Sequence, residues 1–317
     1  MSRRTQTIVA RAEKYLAHRR ALGFELESSG FVLLDFARFT DRIGHEAPLT
    51  TELMLRWATS SKDHSIRYRA ARLSIVRGFA KHLAAEDGRG EVPDMRLLAG
   101  GFRREQPHIY TDEQLRQLVT AAARLSPAYP LRPLTYMTFF GLLASTGLRV
   151  SEAIALRRDD VDLRTGILVI KETKFRKSRL VPMHATVTQA LRRYAAHLDR
   201  DPDARLARSF FIGALGKPLP YTTVRGTFRS ICDRLSWRSN GTLPRPRIHD
   251  LRHTFACRRL LQWYRDGVDV DGAIASLSTY LGHGKVTDTY WYLSGIAELL
   301  SLVGKRFERF AGSRRVS

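Results

Sequence analysis

Cysteine is almost missing from this chain: Cys232 and Cys257 are its only two thiols among 317 residues. Two thiols make no disulfide framework, and a reducing cytoplasm is the expected compartment. Long apolar runs are missing as well. The longest uncharged stretch, Pro133 to Leu148, is interrupted by Thr135, Thr138, Gly141, Ser145 and Thr146. It falls short of the ~20 apolar residues that span a bilayer and reads as a buried helix. Arg11 and Lys14 interrupt the start before any apolar run can form, so no signal peptide is expected. Acidic residues are scarce: Asp and Glu number 31 against 53 Lys and Arg, a net charge of +22. Such an excess repels itself and calls for an acidic partner, nucleic acid or an anionic surface.

What is present points to a folded protein. Hydrophobic residues make up 44% of the chain, too many for a disordered basic tail. At roughly 100–200 residues per domain, the length suggests two domains. Residues 1–100 read as four helices. Ile8, Ala12, Tyr15, Leu16 and Leu22 recur at helical spacing up to Gly23, and Phe31, Leu33, Leu34, Phe36 and Phe39 form a second run. A third opens at Thr50-Thr51-Glu52. The fourth, Ser65 to about Glu86, interleaves Arg67, Arg69, Arg72, Arg77 and Lys81 with apolar residues. That cationic flank is either a phosphate-binding face or an ordinary solvated one.

A linker is expected at 101–110, where Gly-Gly, a charge cluster and Pro107 break the periodicity. Thr111 and Gln114 have capping-box spacing and open the next helix. The second domain is expected over 111–317. Gly166–Ile170 and Arg179–Pro182 are β-rich pieces flanking a basic segment, so they predict a small hairpin among helices. Helical patterns return at 186–198, 222–235, 249–263 and 274–281. Most of the positive charge lies in this larger part, since residues 1–100 carry 17 basic against 12 acidic residues. The fold class is mainly α with a small β-sheet.

Three polar groups stand beside apolar runs. Arg149 follows a buried-looking helix and Gly147, a poor place for a solvated cation unless an anion meets it. His249 and Arg252 sit three apart and can reach a common ligand on one helix face. His283 follows Leu281-Gly282, with Thr289-Tyr290-Trp291-Tyr292 just beyond. His249, His253 and Cys257 have i, i+4, i+8 spacing, but Asp250 stands where a zinc protease has Glu, and no metal is expected. His253 reads as a structural contact and Cys257 as a small buried residue. Glu152 either braces an arginine or lies exposed on its helix.

In this order and spacing, these motifs resemble the tyrosine recombinase (phage integrase) family over roughly residues 110–300. The matching positions are Arg149 in Thr-Gly-Leu-Arg, Lys174 in the hairpin, His249 and Arg252 in His-x-x-Arg, His283 in Leu-Gly-His, and Tyr292. The resemblance implies an N-terminal helical core-binding (SAM-like) bundle and a mixed α/β catalytic domain. It also implies a site-specific recombinase or integrase that cleaves and rejoins double-stranded DNA through a 3′-phosphotyrosine, without a cofactor. The chemistry agrees with the residue types. Two arginines can fork onto the non-bridging oxygens of a phosphodiester, which lysine cannot copy. A tyrosine with pKa ~10 needs cations and a proton acceptor to attack. His249 suits the acceptor, His283 a donor to the phosphate, and Lys174 the proton source for the leaving 5′ oxygen.

Tyr290 and Tyr292 face nearly opposite ways on a helix, and the family's spacing from His283 selects Tyr292; Tyr290 is then expected to pack. Lys171 and Lys177 compete with Lys174, which the family's hairpin register favours. Arg176, Lys177 and Arg179 are expected as phosphate contacts or solvated charges. Two departures from the family pattern stand out: a longer connection between His253 and His283, and Leu293-Ser294-Gly295 where a His is common. An apolar stripe over Ile296, Leu299, Leu300, Val303, Phe307 and Phe310 either docks on its own domain or reaches a neighbour in a synaptic tetramer. Other recombinases of the same element are possible partners, and a nucleoid-associated cytoplasmic location is expected. The resemblance leaves open integration, transposition or chromosome and plasmid resolution. Type IB topoisomerase-like relaxation and a non-cleaving DNA-binding regulator are the alternative readings.

Overall fold

The structure is a computed structural model describing residues 7–45, 48–98, 106–171, 178–238 and 245–294. The chain divides into two compact units, Met1–Arg104 and Glu105–Ser317. In the first, four helices enclose one core: α1 (Ile8–Ala21), α2 (Glu27–Arg42), α3 (Thr51–Ala58) and α4 (Ile66–Asp87). Side-chain oxygens of Thr7, Thr50 and Ser65 cap three of the four helix starts, accepting otherwise orphaned backbone N–H groups. Leu33, Phe36, Met54, Trp57, Val76 and Phe79 meet in the interior.

Arg72 belongs to that interior, which corrects its reading as a phosphate contact. It is 7% exposed. Its guanidinium lies 3.9 Å over the Trp57 ring and donates to Asp35 and to the Trp57 carbonyl. A cation held by an aromatic face, a carboxylate and a carbonyl is locked into the fold. Arg67 and Lys81 are exposed, whereas Arg69 and Arg77 are half-buried, donating to the carbonyls of Lys62 and Pro93.

The second unit is built round α6 (Arg132–Thr146), the apolar stretch picked out in the sequence, which packs against α5 (Asp112–Ala123). Phe139, Phe140, Leu142 and Leu143 are all fully buried there. The Thr111 capping box is formed, with both reciprocal hydrogen bonds. Of the expected linker 101–110, residues 106–110 are described, and the last of them belongs to the core. Tyr110 is 1% exposed in the core, its hydroxyl donating to the Arg247 carbonyl at 2.9 Å and its N–H to Thr254 at 3.0 Å. A buried tyrosine with a satisfied hydroxyl is a core residue.

After α6 come α7 (Val150–Ala155) and an antiparallel sheet of β1 (Val161–Asp162), β2 (Ile167–Ile170) and β3 (Arg179–Pro182), in the order β1-β2-β3. Val169 pairs with Leu180 and Ile170 with Arg179. Then follow α8 (Ala185–Arg200), α9 (Tyr221–Arg234), α10 (Asp250–Arg265), α11 (Val270–Leu281) and the short α12 (Thr287–Tyr290). The long connection after α10 is short in space. Asp266 and Gly267 close the helix, the Val268 N–H donates to the Trp263 carbonyl, and α11 starts at once. Among the described residues no helix is long and apolar enough to cross a membrane.

Gly147 joins α6 to the segment that carries Arg149. Its φ is +64°, and a Cβ there would lie 2.5 Å from the Phe255 ring. Gly147→Ala therefore adds left-handed strain to a steric clash and is expected to lower stability by about 2–4 kcal/mol. Urea denaturation of the full-length protein checks this; an unchanged midpoint contradicts it.

Candidate active site

Helix α11 ends at Gly282, whose φ is +69° and whose missing Cβ leaves room for the Arg179 guanidinium. The His283 N–H reaches back to the Ser278 carbonyl and closes the end. Three successive carbonyls there each accept from a different arginine. Tyr280 O takes Arg179 Nε at 2.7 Å, Leu281 O takes Arg252 Nη2 at 2.6 Å, and Gly282 O takes Arg149 Nη2 at 2.8 Å. Arg252 also donates to the Gly147 carbonyl at 2.9 Å, tying α10 to the end of α6.

Glu152 supplies the negative charge. It accepts from Arg149 Nη1 at 2.7 Å and from the Arg149 backbone N–H at 2.9 Å, so it caps α7 from the third position. Arg179 binds the same carboxylate through both terminal nitrogens, at 3.0 and 2.8 Å. Glu152 is thus a brace for two arginines. Burial is the largest single influence and raises its pKa, but the hydrogen bonds and charges of Arg179 and Arg149 together hold the carboxyl below the usual range. Arg179 is corrected accordingly: its side chain is only 9% exposed and serves as an internal strut. Strand alternation explains this, because Arg179 shares the inward face with Val181 while Leu180 points out.

The histidines and the phenol gather beside this cage. The His283 ring is 5.9 Å from the Tyr292 ring, His253 is 5.4 Å from Tyr292, and His249 is 4.9 Å from His253. Burial, then the positive fields of Arg252 and Arg149, push the His283 pKa down to about 4. His249 is lowered by burial and then by Arg252. Both imidazoles are therefore neutral at neutral pH. Burial also pulls Arg252 down to about 10, which leaves it a cation.

Tyr292 is 3% exposed and Tyr290 is 43% exposed. The expectation that Tyr290 packs is thus reversed: Tyr292 packs against the rings of His253 and His283, and Tyr290 faces solvent. His253 and Cys257 are buried, as expected of structural residues. Among the described residues no group of three or more His, Cys, Asp or Glu is placed to hold a metal. Lys174, Arg176 and Lys177, and the apolar stripe from Ile296 to Phe310, lie outside the described residues.

A cleft of about 520 Å³ opens next to His249, lined by Tyr221, Arg225, Arg229, Arg245 and Arg247. Sequence reasoning passed over this basic surface. Its signal was legible, because Tyr221, Arg225 and Arg229 recur every four residues and so share a helical face.

With this geometry in view, the comparisons define the class. Residues 109–296 match the phage integrase family. The chain is 39% identical over 302 residues to y4rB of Sinorhizobium fredii, a protein named as an integrase/recombinase, covering 94% of this chain and 96% of that one. It is 29% identical over 229 residues to the tyrosine recombinase XerC of Chlamydia muridarum, covering 72% and 67%. In fold it is similar to the Tn1549 transposon integrase in complex with transposon right end DNA. The TM-score is 0.71 at 17% identity, covering 96% of this chain and all of that one. The chain belongs to the phage integrase family, and its enzyme class is site-specific tyrosine recombinase.

The neutral imidazoles set an acid limb of stability. His283 ordinarily titrates at 6.5 and is lowered to about 4 in the fold, so between these values the unfolded chain binds more protons. Stability is expected to fall as pH drops through that window, with His249 acting in the same direction. His283→Gln should lose less stability than wild type between pH 7 and pH 5, as read from urea midpoints. Equal losses contradict the burial of a neutral His283.

Proposed function

We propose that this chain cuts one strand of duplex DNA with Tyr292, holds the cut end as a 3′-phosphotyrosine, and passes it to a new 5′ hydroxyl at a specific site. The observation that carries this reading is the gathering of Arg149, Arg252, His283 and Tyr292 at the end of α11, with His249 one ring away through His253. Arg149 and Arg252 face the non-bridging oxygens, where negative charge grows during attack. His249, neutral and near both arginines, accepts the phenolic proton. His283 donates a hydrogen bond to the phosphate. Lys174, in the segment joining β2 to β3, protonates the leaving 5′ oxygen. The phosphotyrosine bond keeps the energy of the broken phosphodiester, so rejoining needs no nucleotide. Because Tyr292 is packed inside, cleavage requires its turn to open toward the bound duplex.

Arg67, Arg69, Arg77 and Lys81 of the first unit, and Arg176 and Lys177 of the second, are the proposed phosphate contacts; Arg225, Arg229 and Arg245 of the cleft are proposed as further contacts of the second unit. A homotetramer is the proposed working form, each C-terminal stripe docking on a neighbour. A structural relative, the lambda integrase at TM-score 0.61, is seen as a tetramer bound to a Holliday junction. Movement of a mobile element is the favoured role, supported by the integrase name of y4rB and by the likeness to a transposon integrase.

The test uses nicked DNA from the flanks of the element, which traps the covalent intermediate. Wild type is expected to give a denaturant-resistant protein–DNA adduct and Tyr292→Phe none. Arg149→Ala and Arg252→Ala should keep DNA binding yet slow cleavage by roughly 10²-fold or more. An adduct with Tyr292→Phe overturns the nucleophile. Removing Arg225 and Arg229 together should weaken binding and lower the slope of log affinity against log salt by about 2. An unchanged slope excludes that face.

A further inference from the structure

Thr289 sits three residues before Tyr292 and is fully buried, at 0% exposure. A buried polar residue on so short a helix needs a reason. Its Oγ1 lies 2.7 Å from His283 Nδ1, and this is the only hydrogen bond its hydroxyl makes among the described residues. We infer that Thr289 is a positioning residue that fixes His283 as the tautomer protonated on Nε2. The ring then presents a hydrogen-bond donor toward the reacting phosphate. The inference rests on the proposed role of His283.

The argument is one of hydrogen-bond satisfaction. A threonine hydroxyl carries one donated proton and lone pairs, and a neutral imidazole has one N–H and one bare nitrogen. If Nδ1 held the proton, it would donate to Oγ1, and the threonine proton would be left buried with no acceptor. That arrangement costs the full desolvation of a donor. If instead Thr289 donates to a bare Nδ1, both groups are satisfied and the imidazole proton goes to Nε2. A doubly protonated ring is disfavoured by burial and by the neighbouring Arg252 and Arg149, which keep His283 neutral. The same hydroxyl also registers the nucleophile. Thr289 and Tyr292 lie within one turn of backbone, so holding His283 to Thr289 sets the distance between imidazole and phenol.

The experiment combines a tautomer measurement with kinetics on the full-length protein. Nitrogen-15 spectra of histidine-labelled protein, with the His283 signals assigned by their loss in His283→Gln, report which ring nitrogen carries the proton. Wild type should show a bare, hydrogen-bonded Nδ1 and a protonated Nε2. Thr289→Val, nearly the same shape, should lose that signature and slow adduct formation on nicked DNA about 10–100-fold at unchanged DNA affinity. Thr289→Ser should restore both. A wild-type proton on Nδ1 overturns the inference, as does a Thr289→Val protein that cleaves within twofold of wild type. If His283→Gln cleaves normally, the proposed role of His283 fails instead, whatever tautomer the spectra report.

Discussion

Three guanidinium groups resting on three consecutive carbonyls at the end of α11 is the interaction on which the site depends. The last carbonyls of a helix have no partner within it, and the helix dipole adds partial negative charge there. Both features favour cations. The arginines come from separate parts of the chain: Arg149 immediately precedes α7, Arg179 starts β3, and Arg252 lies in the first turn of α10. One turn of backbone therefore brings three distant segments into register. The cost of crowding like charges is offset by Glu152, which binds two of the three. Three cations against one carboxylate leave an excess of positive charge, the condition a phosphodiester can relieve.

The same cage decides the state of the histidines. Desolvation is the largest influence on both His249 and His283, and the arginines push in the same direction. An imidazole here cannot serve as another fixed cation. It can take up or relay a proton, which a permanently charged guanidinium does not do. The division of labour between charge and proton transfer follows from which side chains can lose a proton at neutral pH.

Much of this was legible in the chain. The helices announced themselves through 3.6-residue periodicity, and the hairpin through two β-rich pieces around a basic segment. Arg149, Arg252, His283 and Tyr292 stood out because polar groups interrupted apolar runs in a known order. The failures share one cause. Arg72 and Arg179 were read by charge, as surface cations, although strand alternation already placed Arg179 beside Val181 on the inner face. Tyr290 and Tyr292 were correctly seen to diverge, but helical angle alone does not say which side faces the core. Glu152 stayed undecided because its partner Arg179 lies on another element, and tertiary pairing leaves no local pattern.

What separates a bracing arginine from a reactive one is the count of N–H groups still available. A guanidinium has five. Among the described residues, Arg179 spends three of its five, one on each nitrogen, on Glu152 and Tyr280 O and keeps two, whereas Arg149 and Arg252 spend two each and keep three, Nε–H among them. The bonds described for Arg149 and Arg252 occupy one proton on each of two terminal nitrogens, and the second proton on each remains to be directed elsewhere. Anchoring and anion binding thus draw on different protons of the same planar group. A lysine, with three donors on one freely rotating nitrogen, could be held or could bind, but could not be held in a fixed plane while binding. That requirement explains why arginine, rather than simply positive charge, stands at both positions.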